Sequence, residues 1–288
     1  MSESTRQSVL FGDAFEKPVA VLFDGGSQSS DAGLVLLGAI DRRLRLTDAL
    51  CEPLTDGRQR GKVEHSLHDL LRQRVYAIAA GYADGNDAHG LRHDPVLKML
   101  CDRDAIDGAA LASQPTLSRF ENALSARDVV RAGRRFESER IERLARRHPK
   151  AARVLIDLDA TEDPTHGQQT FSFFNGFYDS HCFLPLVGFL SVEGEREQEV
   201  FFARLRPGVG ASGRGLIPLL RRTVAQVRKA LPRAQIRVRM DGGFPSALLL
   251  GVLDELRVEY VLGLPSNAVL RCRSKRWAMN ESCGTSAD

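Results

Sequence analysis

The apolar positions of this chain change rhythm along its second half, and the changes mark out a run of elements. Val154, Leu155 and Ile156 form a continuous apolar stretch that ends in Asp157-Leu158-Asp159, while Ile236, Val238 and Met240 alternate with Gln235, Arg237 and Arg239 ahead of Asp241. Continuous apolar residues suit a strand buried on both faces and period two suits a strand buried on one, so residues 153–159 and 235–241 are predicted as strands. Two more strand-like stretches, residues 170–178 and 183–192, lie between them. Residues 216–231 then adopt helical spacing. Leu216, Leu220, Val224, Val227 and Leu231 form one stripe, and Arg221, Arg222, Arg228 and Lys229 lie on the other side. A shorter helix, residues 246–256, and a strand, residues 258–264, complete the order β-β-β-α-β-α-β. A helical crossover into the strand ending at Asp241 lets the first and fourth strands lie side by side and parallel.

Both of those strands stop at a carboxylate. Neighbouring strands sit about 4.8 Å apart, so Asp159 and Asp241 are candidate catalytic residues and candidate metal ligands. Asp157 points to the same face as Asp159, because strand side chains alternate, and is the second choice for the first acid. Two divalent ions about 3.5–4 Å apart, bridged by such acids, can activate an attacking oxygen and stabilise the leaving oxygen of a phosphodiester.

Charge narrows the choice of phosphate. The net charge of +3 is uninformative, but its distribution is uneven. Residues 201–240 hold ten basic residues and no acidic one, and residues 127–153 hold ten basic and four acidic. Such segregation suits a polyanion lying across an arginine-lined surface, with Arg134 and Arg135 in one tract and Arg221 and Arg222 in the other as candidate DNA contacts. Residues 110–120 suggest a short helix, a turn and a second helix opened by Ser113 and Pro115, with Arg119 facing DNA; a capped helix in an all-α region is the competing reading. Residues 126–147 read as a basic helix leading into the second half. Earlier still, residues 19–23 read as a strand followed by a glycine-rich turn, and Ser30 or Asp31 is positioned to cap the next helix. That turn lacks the Gly-Lys-Ser/Thr ending of a phosphate loop. His89 and His93 have metal-ligand spacing for a helix, but Gly90 lies between them and no further ligand is near, so a turn is expected there.

The five cysteines are scattered, odd in number and without a Cys-x-x-Cys pair, which fits a reducing cytoplasm without zinc or disulfides. No run of 18 apolar residues occurs, so no membrane span is expected.

Several motifs together carry a family resemblance. Asp-Leu-Asp-Ala-Thr-Glu-Asp-Pro-Thr-His-Gly-Gln-Gln (157–169), Phe-Phe-Asn-Gly-Phe-Tyr-Asp (173–179), Leu-Pro-Leu-Val-Gly-Phe (184–189), Ala-Arg-Leu-Arg-Pro-Gly (203–208), Arg-Met-Asp-Gly-Gly-Phe (239–244) and Tyr-Val-Leu-Gly-Leu (260–264) resemble the DDE transposases of bacterial insertion sequences, and most closely the group numbered 1380. Matching stretches in the first half include residues 81–87 and 111–122, so the resemblance runs from about residue 10 to about residue 270.

That resemblance implies an α/β fold with a ribonuclease H-like catalytic core, incomplete here, preceded by a mostly helical N-terminal region. It implies cleavage and strand transfer at transposon ends with Mg²⁺ or Mn²⁺ held by two aspartates and a glutamate. On the matching positions the aspartates are Asp159 and Asp241. The implied partners are the terminal inverted repeats and target DNA, with a homodimer left open. The expected division is an N-terminal DNA-binding region (1–150), the core (151–270) and a disordered tail (271–288).

The third acid of the family normally follows the strand that matches residues 258–264, and only Glu281 and Asp288 come after that strand. The chain is therefore expected to be truncated, and to bind DNA while cutting it poorly or not at all. Two rival functions remain: a DNA-binding fragment that interferes with a full-length transposase, and a haloacid dehalogenase-like phosphatase with Asp157 as nucleophile and Asp159 as general acid. The phosphatase requires a late acidic pair after a strand, which the sequence does not offer.

Overall fold

The computed structural model describes residues 8–11, 19–22, 26–209, 215–264 and 274. The chain divides into two compact units, Met1–Ala132 and Gly133–Asp288.

The first unit opens with an antiparallel pair, β1 (Ser8–Phe11) and β2 (Val19–Leu22). Among the described residues six α-helices follow: α1 (Leu34–Leu44), α2 (Leu46–Cys51), α3 (Leu67–Ala79), α4 (Ala88–Leu91), α5 (Pro95–Leu100) and α6 (Gln114–Ala123). α3 starts at a capping box, in which the Ser66 hydroxyl accepts the Asp69 N–H and the Asp69 carboxylate accepts the Ser66 N–H. α1 instead starts at Gly33 with no side-chain cap. Asp31 is drawn elsewhere, accepting the Tyr82 hydroxyl at 3.0 Å.

α6 begins at Ser113 with Pro115 in its first turn, as its sequence suggests. The residues before it, 101–113, are irregular, so no helix precedes α6 at the short turn of a helix-turn-helix. The reason is local. The Asp104 carboxylate accepts the N–H groups of Ile106 and Asp107 at 2.9 and 2.7 Å, giving this stretch a backbone partner outside any helix. His89 lies in α4 and His93 just before α5. The unit is held by two apolar clusters, one around Tyr76, Leu97 and Leu111 and one around Leu70, Leu117 and Phe120.

α7 (Ala126–Arg147) carries the boundary between the units. Beyond it come β3 (Arg153–Ala160), β4 (Asp163–Pro164), β5 (Phe173–Asn175), β6 (Ser180–Phe183), β7 (Leu186–Val192), β8 (Gln198–Arg204), α8 (Leu216–Ala230), β9 (Gln235–Met240), α9 (Ala247–Glu255) and β10 (Glu259–Leu262). Five of these strands form one sheet in the order β10-β9-β3-β7-β8. β3, β7 and β8 are an antiparallel meander, and β9 and β10 add in parallel on the other side of β3, each reached through a helix. A three-strand meander continued by two parallel crossover strands is the ribonuclease H-like topology.

The order β-β-β-α-β-α-β thus holds for the sheet, but its members differ in one place from the expected ones. Residues 170–178 do not enter the large sheet. They contribute only β5 to a separate three-stranded sheet, β4-β6-β5. The third strand of the meander is β8, whose pattern hides it. It is an edge strand, and within it only Phe201 is fully buried.

One face of the large sheet builds the core. Val154, Ile156 and Leu158 of β3, Leu186 and Leu190 of β7, and Ile236, Val238 and Met240 of β9 pack with Ile141 and Leu144 of α7, the full apolar stripe of α8, and Leu249 and Leu253 of α9. Among the described residues, no helix is long and apolar enough to cross a membrane.

Candidate functional site

On β3 and β9 the intervening positions include Arg153, Asp157, Asp159, Arg237 and Arg239. β3 and β9 run parallel in register from Arg153 opposite Gln235 to Leu158 opposite Met240. One residue beyond that last pair stand Asp159 and Asp241, both exposed. With neighbouring strands about 4.8 Å apart, the two carboxylates share one face and one end of the sheet.

Two backbone contacts fix the second acid. The Gly243 N–H donates to Asp241 Oδ1 at 3.0 Å, closing a turn directly after β9. The Gly263 N–H donates to the Met240 carbonyl at 3.0 Å, and a Cβ at Gly263 would lie 2.8 Å from the Gly242 nitrogen and 3.2 Å from the Asp241 carbonyl carbon. The approach of β10 to this turn is therefore possible only for glycine.

Asp157 sits one pleat further in, paired in register with Arg239. The Arg239 guanidinium grips it through Nε at 2.5 Å and a second nitrogen at 2.9 Å, one to each oxygen. Asp157 is thereby committed to an arginine, whereas among the described residues no ion pair engages Asp159. A cleft of about 400 Å³ lies over this face, lined by Asp157, Asp159, Phe189, Gln198, Arg239 and Asp241.

A residue missed by the sequence reading also belongs here. Tyr178, in the turn between β5 and β6, has its phenol pKa raised by burial and then by the negative charges of Asp241, Asp159 and Glu162. Its only signal in the sequence is its place in the Phe-Phe-Asn-Gly-Phe-Tyr-Asp motif. Glu162 itself accepts a hydrogen bond from the Ser180 hydroxyl.

The donor set suits a hard cation, since Asp159 and Asp241 offer carboxylate oxygens on one face. Among the described residues no group of three or more His, Cys, Asp and Glu side chains is placed to hold a metal ion. The fit is thus that of two ligands, which cover part of a coordination sphere.

The candidate DNA contacts are dispersed. Arg119 is an exposed residue of α6 in the first unit, where it donates to the Thr116 hydroxyl at 3.3 Å. In the second unit Arg134 is exposed on α7, while Arg135 reaches Glu139 at 3.3 Å on the same helix. Arg221 forms a two-pronged pair with Glu255 at 2.8 and 2.6 Å. Arg222 donates twice to Glu137 Oε2, at 2.9 and 2.8 Å, and Glu137 also accepts the Thr223 hydroxyl. Much of the positive charge in both arginine tracts is met by acids from elsewhere. Arg237 pairs with Glu259, Arg147 with Glu197 and Glu199, and Arg153 with Glu193 and Glu259.

Residues 11–284 match the family described as Transposase DDE domain group 1, and the chain belongs to that family. No curated protein matches it. Among solved structures, it is similar to a chain in the crystal structure of a pre-cleavage Mos1 transpososome, with 12% identity and a TM-score of 0.24 over 74% of this chain and 63% of that one. It is also similar to a chain in the crystal structure of the Mos1 strand transfer complex, with 12% identity and a TM-score of 0.23 over 74% of this chain and 62% of that one. The chain spans less than two thirds of the length of either.

Proposed function

We propose that this transposase belongs to a bacterial insertion sequence of the group numbered 1380, and that it acts in the cytoplasm on the terminal inverted repeats of that element and on target DNA. The observation that carries the reading is the placement of Asp159 and Asp241, side by side at the ends of adjacent parallel strands. In this proposal the two aspartates hold Mg²⁺ or Mn²⁺. A bound ion would polarise the phosphodiester and favour the attacking oxygen. The protein's own part is to present two fixed carboxylates in an open cleft, with Asp157 neutralised by Arg239 beside them.

Asp159 is the better supported of the two candidates for the first acid, because Asp157 spends both oxygens on Arg239. Among the arginines, Arg119 and Arg134 are exposed and, among the described residues, pair with no acid, so they are the better candidates for DNA contact. Arg135, Arg221 and Arg222 each hold a glutamate, so their charge is largely balanced within the protein. The described residues bring together two acids, so we further propose that this chain binds DNA well and cuts it slowly when alone. The three-strand meander ahead of α8 speaks against the phosphatase.

The test is an assay of the purified chain on supercoiled plasmid carrying candidate ends, with Mg²⁺ or Mn²⁺, alongside Asp159→Asn and Asp241→Asn. Weak nicking that either substitution abolishes, with DNA affinity retained, is the expected result. Nicking that survives both substitutions sinks the assignment of the acids, and efficient nicking by the wild type sinks the proposal of slow cutting.

A further inference from the structure

The small sheet beside the acids has an unusual surface. Phe171, Phe173, Phe174 and Phe177 are 64%, 41%, 50% and 87% exposed within seven residues of chain, where exposed apolar patches on soluble proteins usually mark a binding surface. Phe177 stands out in being carried on a hydrogen-bonded turn. Its N–H donates to Asn175 Oδ1 at 2.9 Å, and the same Asn175 side chain donates to the Gly208 carbonyl at 2.9 Å, tying the turn to the segment after β8. The Phe177 ring meets the Tyr178 ring edge to face, with centroids 4.9 Å apart. The sheet that carries this turn is joined to the first acid's strand on both sides, since β4 begins at Asp163, just after Asp159, and β6 runs into β7, where Val187 pairs with Asp159.

Charge indicates what such a surface takes. Residues 162–183 contain Glu162, Asp163 and Asp179 and no lysine or arginine. A phosphate backbone is repelled by such a segment, but a nucleobase is not, since it is uncharged and stacks on aromatic rings whatever its sequence. Enzymes whose target is a base draw it out of the stack, and any base left unpaired beside a cut strand gains a flat partner in an exposed aromatic ring.

We propose that Phe177 is a stacking platform for a base unpaired from the DNA strand on which Asp159 and Asp241 act. This rests on the function proposed above and adds a contact made to a base instead of a phosphate. The stacking term is independent of counterion release, so it separates from arginine contacts in a salt titration.

The experiment uses the full chain, a labelled 20-nucleotide oligothymidylate and a blunt 30-base-pair duplex, with affinities measured between about 50 and 200 mM salt. Phe177→Ala is expected to weaken oligothymidylate binding about tenfold, to leave its salt slope unchanged and to leave duplex affinity within about twofold, while Phe177→Trp restores wild-type binding. Unchanged oligothymidylate affinity in Phe177→Ala overturns the proposal, as does equal loss on both probes. So does a change from dimer to monomer in sedimentation, which would make the aromatic face a contact between copies. Failure of the wild type to bind either probe would instead overturn the DNA-processing reading on which the proposal stands. Phe177 is almost wholly exposed, so its replacement leaves the fold intact, and circular dichroism checks this directly.

Discussion

The two faces of the large sheet are written by alternate residues of the same strands, yet they obey different rules. On β3, Ile156 and Leu158 are buried in the core, and their neighbours Asp157 and Asp159 face the cleft. The charged face itself changes along its length. At the start of β3 and β9, arginines are matched by glutamates, with Arg153 and Arg237 both meeting Glu193 and Glu259. At the other end the balance tips, and two exposed aspartates stand next to a single arginine already engaged by Asp157. Matched charge gives order with little chemistry, whereas the unmatched end is available to a cation.

If that division holds, substitutions one residue apart should separate stability from chemistry. The largest expected loss is for Ile156→Ala, which empties a fully buried position and should cost about 2–5 kcal/mol in denaturant unfolding. Glu137→Ala comes next. Glu137 is buried between Arg222 and Thr223, and leaving its partners unmatched should cost about 3 kcal/mol, with Arg222→Ala added to the same chain restoring part of it. Arg221→Ala removes an ion pair whose two side chains are 43% and 60% exposed, so only a slight loss in denaturant unfolding is expected, shrinking further in salt. The smallest stability effect belongs to Asp159→Asn, within about 0.5 kcal/mol of wild type. That variant should nonetheless lose the rise in melting temperature that Mn²⁺ gives the wild type, because a ligand stabilises only the state it binds. A Mn²⁺-induced rise that persists in Asp159→Asn would erase the contrast between the two faces.

Sequence periodicity was a sound guide where one face of an element is buried throughout. The stripe of α8 is a case in point, since Leu216, Leu220, Val224, Val227 and Leu231 all lie in the core. It was a poor guide at the sheet edge. β8 buries little beyond Phe201, so no apolar rhythm announces it, while the phenylalanines of residues 170–178 imitate a core strand although they are exposed. The two strands ending at Asp159 and Asp241 were legible, and so was their adjacency, because the intervening helix constrains how they can meet. The fate of the arginines was not. An acid-free tract suggests a free positive surface, but Arg222 finds its glutamate 85 positions away and Arg239 its aspartate 82 positions away. Pairing at such separations has no local signature.

Gly263 carries a consequence for anyone reading function from a mutational screen. It has no reactive group, yet any side chain there would press on the backbone that carries Asp241. In a library scored by activity, every replacement at this position should look like the loss of Asp241 itself. Glycine has no side chain to label and none to offer a cation, which marks it as part of the mounting and not of the instrument.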